Sequence, residues 1–536
     1  MLNKLISNFW NNFKTQPDVW FFYAFLATFV FSIRKVILFH PINNRFNEYS
    51  GIFLYLSDIF LIMTFIAWII FELYHKKSQL SIKKPVFVPR LAYRQAGGTL
   101  MLIFALLSWS LISILWSENK DIAFFRFIKL LEFSLLSIFI VKKIVPRGTI
   151  LKNSFKIIIA SAITNSFIGI WQFITQHSIG LFWLKESLIS PTTPGVAKII
   201  FNEEPFVRSY GLFPHPNIFG GFLLFSLSIT YIYYKLFHVE QLSKNKVNYC
   251  STWNNKKIIL NKISGDILYI ISNKKLIFSI QIIALLFTFS KSAILGLIIT
   301  ALYIFKISIP PQPSLKKWHK SKLITFGYSL IVPRGTIITK KLFLFSLIIT
   351  TLFVIAKPNI YSLLFKSLDE RMIYLNVSRE TILSNSFFGL GSGQFVTQMQ
   401  SYTNLNLLDW QFQPVHNVFL LIFSELGIIG LIIFITLLYK LFFTRLINSK
   451  EKQSNIITNV NCSTWNNKLN KKSNLINNVP RGTFTKIYYI SKISRGVLLG
   501  LIFIMLFDHY LWDIQQGEIL LFITFALAGY SNDIKN

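Results

Sequence analysis

A few polar residues recur at the ends of apolar runs. "RSYGLFPHPN" (208–217) carries Arg208, His215 and Asn217. "FSKSAIL" (289–295) sets Lys291 between two serines. "DERMIYLNVSRE" (369–380) holds Arg371 and Arg379 and runs on to Gly389-Leu-Gly391-Ser-Gly393. "HNVFLLIFSELGIIG" (416–430) opens on His416 and Asn417 and contains Glu425. "DHYLWDIQQG" (508–517) supplies Asp508, His509 and Gln516. Guanidinium and ammonium groups can take up charge that develops on a departing phosphate. An imidazole that titrates near neutral pH can accept a proton from a nucleophile. No Asp-x-Asp pair occurs to hold a metal, and no Ser-His-Asp arrangement is evident. Taken singly, each group has a plain reading. An Arg at a helix end usually snorkels, and a His there is usually a cap. A glycine triplet without a following Lys-Ser/Thr is a turn, not a phosphate loop.

The elements that would position these groups are membrane spans. The chain has 536 residues and is 53% hydrophobic, with 54 phenylalanines and a mean hydropathy of +0.50. Soluble domains do not have this composition. About 20 helical residues cross the hydrocarbon. Apolar runs predict about twelve spans, at 17–39, 51–73, 99–116, 122–141, 154–176, 216–238, 276–290, 292–306, 341–356, 416–442, 487–507 and 516–531. The predicted fold is an all-α integral membrane protein, a single polytopic domain over 1–536. Its large outer loop would contain short amphipathic helices.

The net charge of +33 raises nucleic acid as a partner, but its distribution argues against that. Lys and Arg collect in alternate loops, as cytoplasmic loops do, beside anionic lipid. This pattern puts both termini in the cytoplasm and loops 177–215 and 357–415 outside. The chemically interesting residues then share the outer side. Loops 239–275, 306–341 and 443–486 read as insertions. "VPRGT" occurs at 145–149, 332–336 and 479–483, and "CSTWNNK" at 250–256 and 462–468. Both cysteines, Cys250 and Cys462, lie in these copies. The repeats have no fixed period or buried stripe, so they read as inserted sequence tolerated in solvated loops. No disulfide and no zinc site is expected from two such cysteines.

The order of these motifs, from about residue 100 to 530, resembles the O-antigen ligase/polymerase family of bacterial integral-membrane glycosyltransferases of the GT-C type. The blocks that carry it are Gly-x-Phe-x-His-Pro-Asn, Thr-x-Ser-cation-Ser, Arg…Gly-x-Gly-x-Gly-x-Phe and His-Asn…Glu-x-Gly-x-x-Gly. Lys291 stands where the family usually has Arg, which keeps the charge but loses the bidentate fork. The resemblance implies a polyprenyl-diphosphate-linked glycan donor at the outer face of the cytoplasmic (inner) membrane, and no cofactor. The acceptor would be lipid A–core, a growing glycan or a protein. It also implies that His416 is the functional histidine. Arg208, Arg371 and Lys291 are then expected to bind the diphosphate, with Arg379 a weaker candidate. His215, Asn217, Asn417, Glu425, Asp508, His509 and Gln516 are expected to support them. A lipid-linked glycan transporter or flippase is the alternative of a different class, although no duplicated halves of the kind common in transporters are visible.

Glu425 needs its own account. It lies nine residues after His416, about 13.5 Å deeper and half a turn round on a straight helix. It cannot orient His416 directly and is expected to contact a neighbouring span, with Arg126 or Lys129 as partner.

Overall fold

The computed structural model describes residues 10–80, 92–201, 204–238, 273–308, 360–443 and 481–530. Its principal helices are α1 (Pro17–Thr28), α2 (Leu56–Leu80), α3 (Ala92–Ser113), α4 (Lys120–Phe139), α5 (Gly148–Thr175), α6 (Pro216–Tyr233), α7 (Lys274–Phe287) and α8 (Lys291–Ser308). They continue with α9 (Ile360–Ser384), α10 (Val418–Phe443), α11 (Arg481–Met505), α12 (Tyr510–Asp513) and α13 (Gln515–Gly529). Five described segments are long and apolar enough to cross a membrane: Leu56–Tyr74, Gly148–Thr175, Pro216–Phe237, Val418–Phe443 and Tyr488–Met505. Gly98–Ser113 and Lys291–Phe305 are shorter apolar helices. The segment Pro216–Phe237 is 89% buried, against 28% for Leu56–Tyr74. α6 is therefore the hub of the bundle, with Phe222 and Phe225 buried and Phe29 and Phe213 packed on Phe222, and α2 lies at its edge.

The chain departs from an all-helical reading in two hairpins. The predicted span 17–39 ends as a helix at Thr28, and Arg34–Phe39 forms strand β1. β1 pairs antiparallel with β2 (Gly51–Tyr55), from Arg34 opposite Tyr55 to Phe39 opposite Gly51. The predicted span 51–73 thus begins as a strand and turns helical at Leu56. The run Val-Ile-Leu-Phe suits a strand as well as a helix, and apolar runs this short do not separate the two. Asn43 and Asn44 decide it. Both adopt positive φ (49° and 60°), and Ile42 and Arg45 exchange both backbone hydrogen bonds across them, as a primed turn requires. A second hairpin, β3 (Lys198–Phe201) and β4 (Glu204–Val207), lies in the loop 177–215. The loop 357–415 holds the long helix α9 and short 3-10 turns at Met399–Tyr402 and Asp409–Gln411.

α10 is not straight. Gly427 has φ 66° and ψ −171°, a region open in practice to glycine alone. The break frees three carbonyls, and each finds a new donor. Leu390 N donates to Ser424 O (2.9 Å) and Gly391 N to Glu425 O (2.8 Å). Trp109 Nε1 donates to Leu426 O (2.8 Å). In return Ile428 N donates to Ser386 O (2.9 Å). Broken helices persist in apolar surroundings when the freed groups are satisfied in this way. The glycine triplet makes the contact possible: Gly389, Gly391 and Gly393 all have positive φ, and a Cβ on Gly389 would fall 2.5 Å from Gly427 N.

Of the repeats, the 145–149 copy is described in full and residues 481–483 of the 479–483 copy begin α11, so neither is merely a solvated loop. Val145 is buried against the core, and Gly148 opens α5. The copy at 332–336, both "CSTWNNK" copies with Cys250 and Cys462, and the predicted span 341–356 lie outside the described residues.

Candidate functional site

The site forms where several helices end or begin. Gln172 of α5 accepts from Gly211 N (2.8 Å) and donates to Gly211 O (2.9 Å), while Gln176 accepts from Val207 N (2.6 Å). These bonds hold the segment that carries Arg208. Arg208 Nε donates to Thr288 O (2.6 Å), in the turn between α7 and α8 that presents Lys291. Arg208 Nη2 donates to Asn217 Oδ1 (2.5 Å), and Asn217 Nδ2 donates to Asp508 Oδ2 (2.7 Å). A Cβ on Gly220 would lie 2.9 Å from Ser290 Cβ, and one on Gly221 only 2.1 Å from Tyr510 Oη. The glycine pair thus lets α6 press against both the Lys291 turn and the residue after His509.

Lys291 is exposed, Arg208 and Arg371 are half-buried, and Lys291 is within electrostatic reach of both arginines. Arg371 also acts on His416. Among the described residues no carboxylate makes an ion pair with Arg208, Lys291 or Arg371. Burial lowers the Arg208 guanidinium to about 10, so it stays charged at neutral pH.

The three histidines differ in what their nitrogens do. His215 caps α6: its Nδ1 accepts from Asn217 N (3.2 Å). Burial, then the Arg208 charge, brings it down to about 3, so it is neutral. His416 Nδ1 lies 3.2 Å from Pro414 O. A carbonyl only accepts, so Nδ1 carries the proton of the neutral ring and Nε2 keeps its lone pair. Burial and then His509 lower His416 to about 4. Its ring stacks on Tyr374 of α9 (centroids 5.5 Å apart, 7° between planes). Asn417 caps α10 by accepting from Leu420 N (3.0 Å), and its amide donates to Leu506 O (3.1 Å), tying α10 to the end of α11. His509 is buried and meets His416 edge-on, with centroids 5.1 Å apart. Its Nδ1 donates to both oxygens of Asp513, at 2.9 and 2.8 Å.

Other sequence-predicted residues fall elsewhere. Glu425 is buried at the kink, where backbone N–H groups of Gly393 and Phe395 and the Arg126 charge face its carboxylate. It anchors the glycine turn. Lys129, the other suggested partner, instead pairs with Asp58 and Glu132. Arg379 is exposed, 3.9 Å from Glu380. Gln516 is buried in the first turn of α13 and its Oε1 lacks a hydrogen-bond partner among the described residues. Sequence reasoning missed Tyr374, Asp513, Tyr49 and Glu48. The first two had a signal, at i+3 from Arg371 and i+4 from His509. Tyr49, 5.6 Å from the His509 ring, and Glu48 sit in the unforeseen first hairpin.

Apolar helices around a polar cluster at their ends define a multi-pass membrane protein. Residues 276–435 match the family model described as O-antigen ligase. Over that stretch the chain is similar to this family, and the match spans Lys291, Arg371, His416 and Glu425. No curated protein matches the chain.

Proposed function

We propose that this protein is a membrane glycosyltransferase of the O-antigen ligase type. It transfers a glycan from polyprenyl diphosphate to an acceptor hydroxyl at the outer face of the bacterial cytoplasmic membrane, within one polytopic domain of about twelve crossings and with both termini cytoplasmic. One observation carries the reading: three cations that, among the described residues, form no ion pair with a carboxylate gather beside a neutral histidine whose proton sits on Nδ1, leaving the Nε2 lone pair to accept. The acceptor O–H proton goes to His416 Nε2 as the oxygen attacks C1. The C1–O bond to phosphate breaks, and its electron pair leaves with the diphosphate. Arg208, Arg371 and Lys291 take up that charge without a metal. A single displacement inverts the anomeric centre.

Lipid A–core, a growing glycan chain or a protein hydroxyl would each serve this chemistry, so repeat-unit polymerisation is the nearest alternative. The test is transfer by purified protein in EDTA, from a polyprenyl-diphosphate-linked oligosaccharide to each acceptor class, with the product linkage read by NMR. Inverted linkage unaffected by EDTA is expected. Strict metal dependence or retained configuration would overturn the mechanism. Movement of the lipid-linked glycan across a vesicle membrane without any transfer would instead identify a transporter.

A further inference from the structure

His509 takes no part in the displacement just described, yet it is buried, edge-on to His416, and bonded to both oxygens of a buried carboxylate. We infer that His509, held as an imidazolium by Asp513, is a positioning residue whose charge keeps His416 unprotonated. This inference rests on the role of His416 proposed above.

A carboxylate bonded to Nδ1 favours the charged form of an imidazole, and a charged ring beside a second imidazole disfavours a second proton. Each packed element contributes in a definite sense. The α11–α12 turn supplies Asp508, which favours charge on both rings. α12 supplies Asp513. The first hairpin places Glu48 near His509, again favouring its charge, and Tyr49 against its ring. α9 supplies Arg371, which opposes charge on His416, and the stacked Tyr374, whose phenol burial pushes up to about 12 and so leaves neutral. From the start of α6 comes His215, itself neutral. For His509, burial pulls toward neutrality, but Asp513 with Asp508 and Glu48 outweighs it and the ring is raised above its ordinary range. His416 faces that positive ring, is favoured toward charge by Asp508, and is lowered, first by burial and next by His509.

The test is deuterium exchange at the imidazole C2 of each histidine, followed by peptide mass spectrometry across pH. It uses the full-length protein in detergent and needs no substrate. In the wild type the His416 midpoint is expected near 4. In His509→Gln it should move up by about one unit or more, toward the ordinary value of about 6.5. In Asp513→Asn, a nearly isosteric change, the His509 midpoint should fall and that of His416 should rise. This follows because Asp513 favours charge on His509, and charge on His509 opposes charge on His416. An unchanged or lowered His416 midpoint in the folded variants overturns the inference. A purely structural His509 would reduce the folded yield without moving the midpoint. If the midpoint moves as expected but the protein transfers no glycan, the proposed function fails and this coupling stands.

Discussion

Two clusters of charge share this helical bundle. Around Lys129, the cation is matched by carboxylates. Lys129 pairs with Asp58 and with Glu132 (3.1 Å), all three are buried, and Gln515 donates to Asp58. Lys143 and Asp18 form a second buried pair at 2.7 Å. Around His416 the opposite holds: among the described residues, Arg208, Lys291 and Arg371 form no ion pair with a carboxylate. Asp508 is joined to Arg208 through Asn217 and acts on it electrostatically, and Asp513 is taken up by His509. Buried charge that is matched inside the protein serves the fold. In the proposed function, the cations left unmatched at the mouth of the bundle find their counter-charge in the donor diphosphate. A polar cavity of about 20 Å³, lined by Glu48, Arg126, Lys129, Asp513 and Glu518, lies between the two clusters and is large enough for about one water.

The largest expected effect tests this contrast directly. Lys129→Met leaves two buried carboxylates without their cation, at roughly 3–5 kcal/mol, so thermal unfolding in detergent should show severe destabilisation. Arg371→Ala should leave the unfolding temperature nearly unchanged and reduce transfer about 10²- to 10³-fold. Equal destabilisation by both variants would erase the distinction. Gly427→Ala comes next. A Cβ there would lie 2.1 Å from Phe387 O, and the backbone strain alone is about 1–3 kcal/mol. Loss of stability together with faster proteolysis near the glycine turn is expected.

The pH profile sharpens the comparison further. In the proposed reaction His416 acts as a base only when unprotonated, and its pKa is lowered to about 4. Transfer should therefore hold through mildly acidic pH and fall as pH drops through that value. A fall centred on the ordinary histidine range would show that the site does not depress its base. Smallest of all, Lys291→Arg keeps the charge and should change the rate by less than about tenfold, while Lys291→Ala should cost more.

Much of the site was legible because its groups mark helix ends. Pro216 after His215, the Ser-Lys-Ser turn and the glycine triplet each announce a boundary, and the structure brings Arg208, Lys291, His215, His416 and His509 to one end of the bundle. What remained illegible depended on backbone geometry that hydropathy does not record. The strand Arg34–Phe39 looked like the tail of a span, so Tyr49 and Glu48 had no visible place beside His509. Glu425 was judged on a straight helix. The break at Gly427 brings its carboxylate to the glycine loop as well, while the charge of Arg126 on α4, one of the two partners the sequence suggested, acts on it.

The most direct measurement is single-turnover transfer by His416→Ala, with donor binding followed separately. The account requires the polyprenyl-diphosphate glycan to bind as in the wild type while transfer falls by about 10²- to 10⁴-fold. Transfer at the wild-type rate would contradict it.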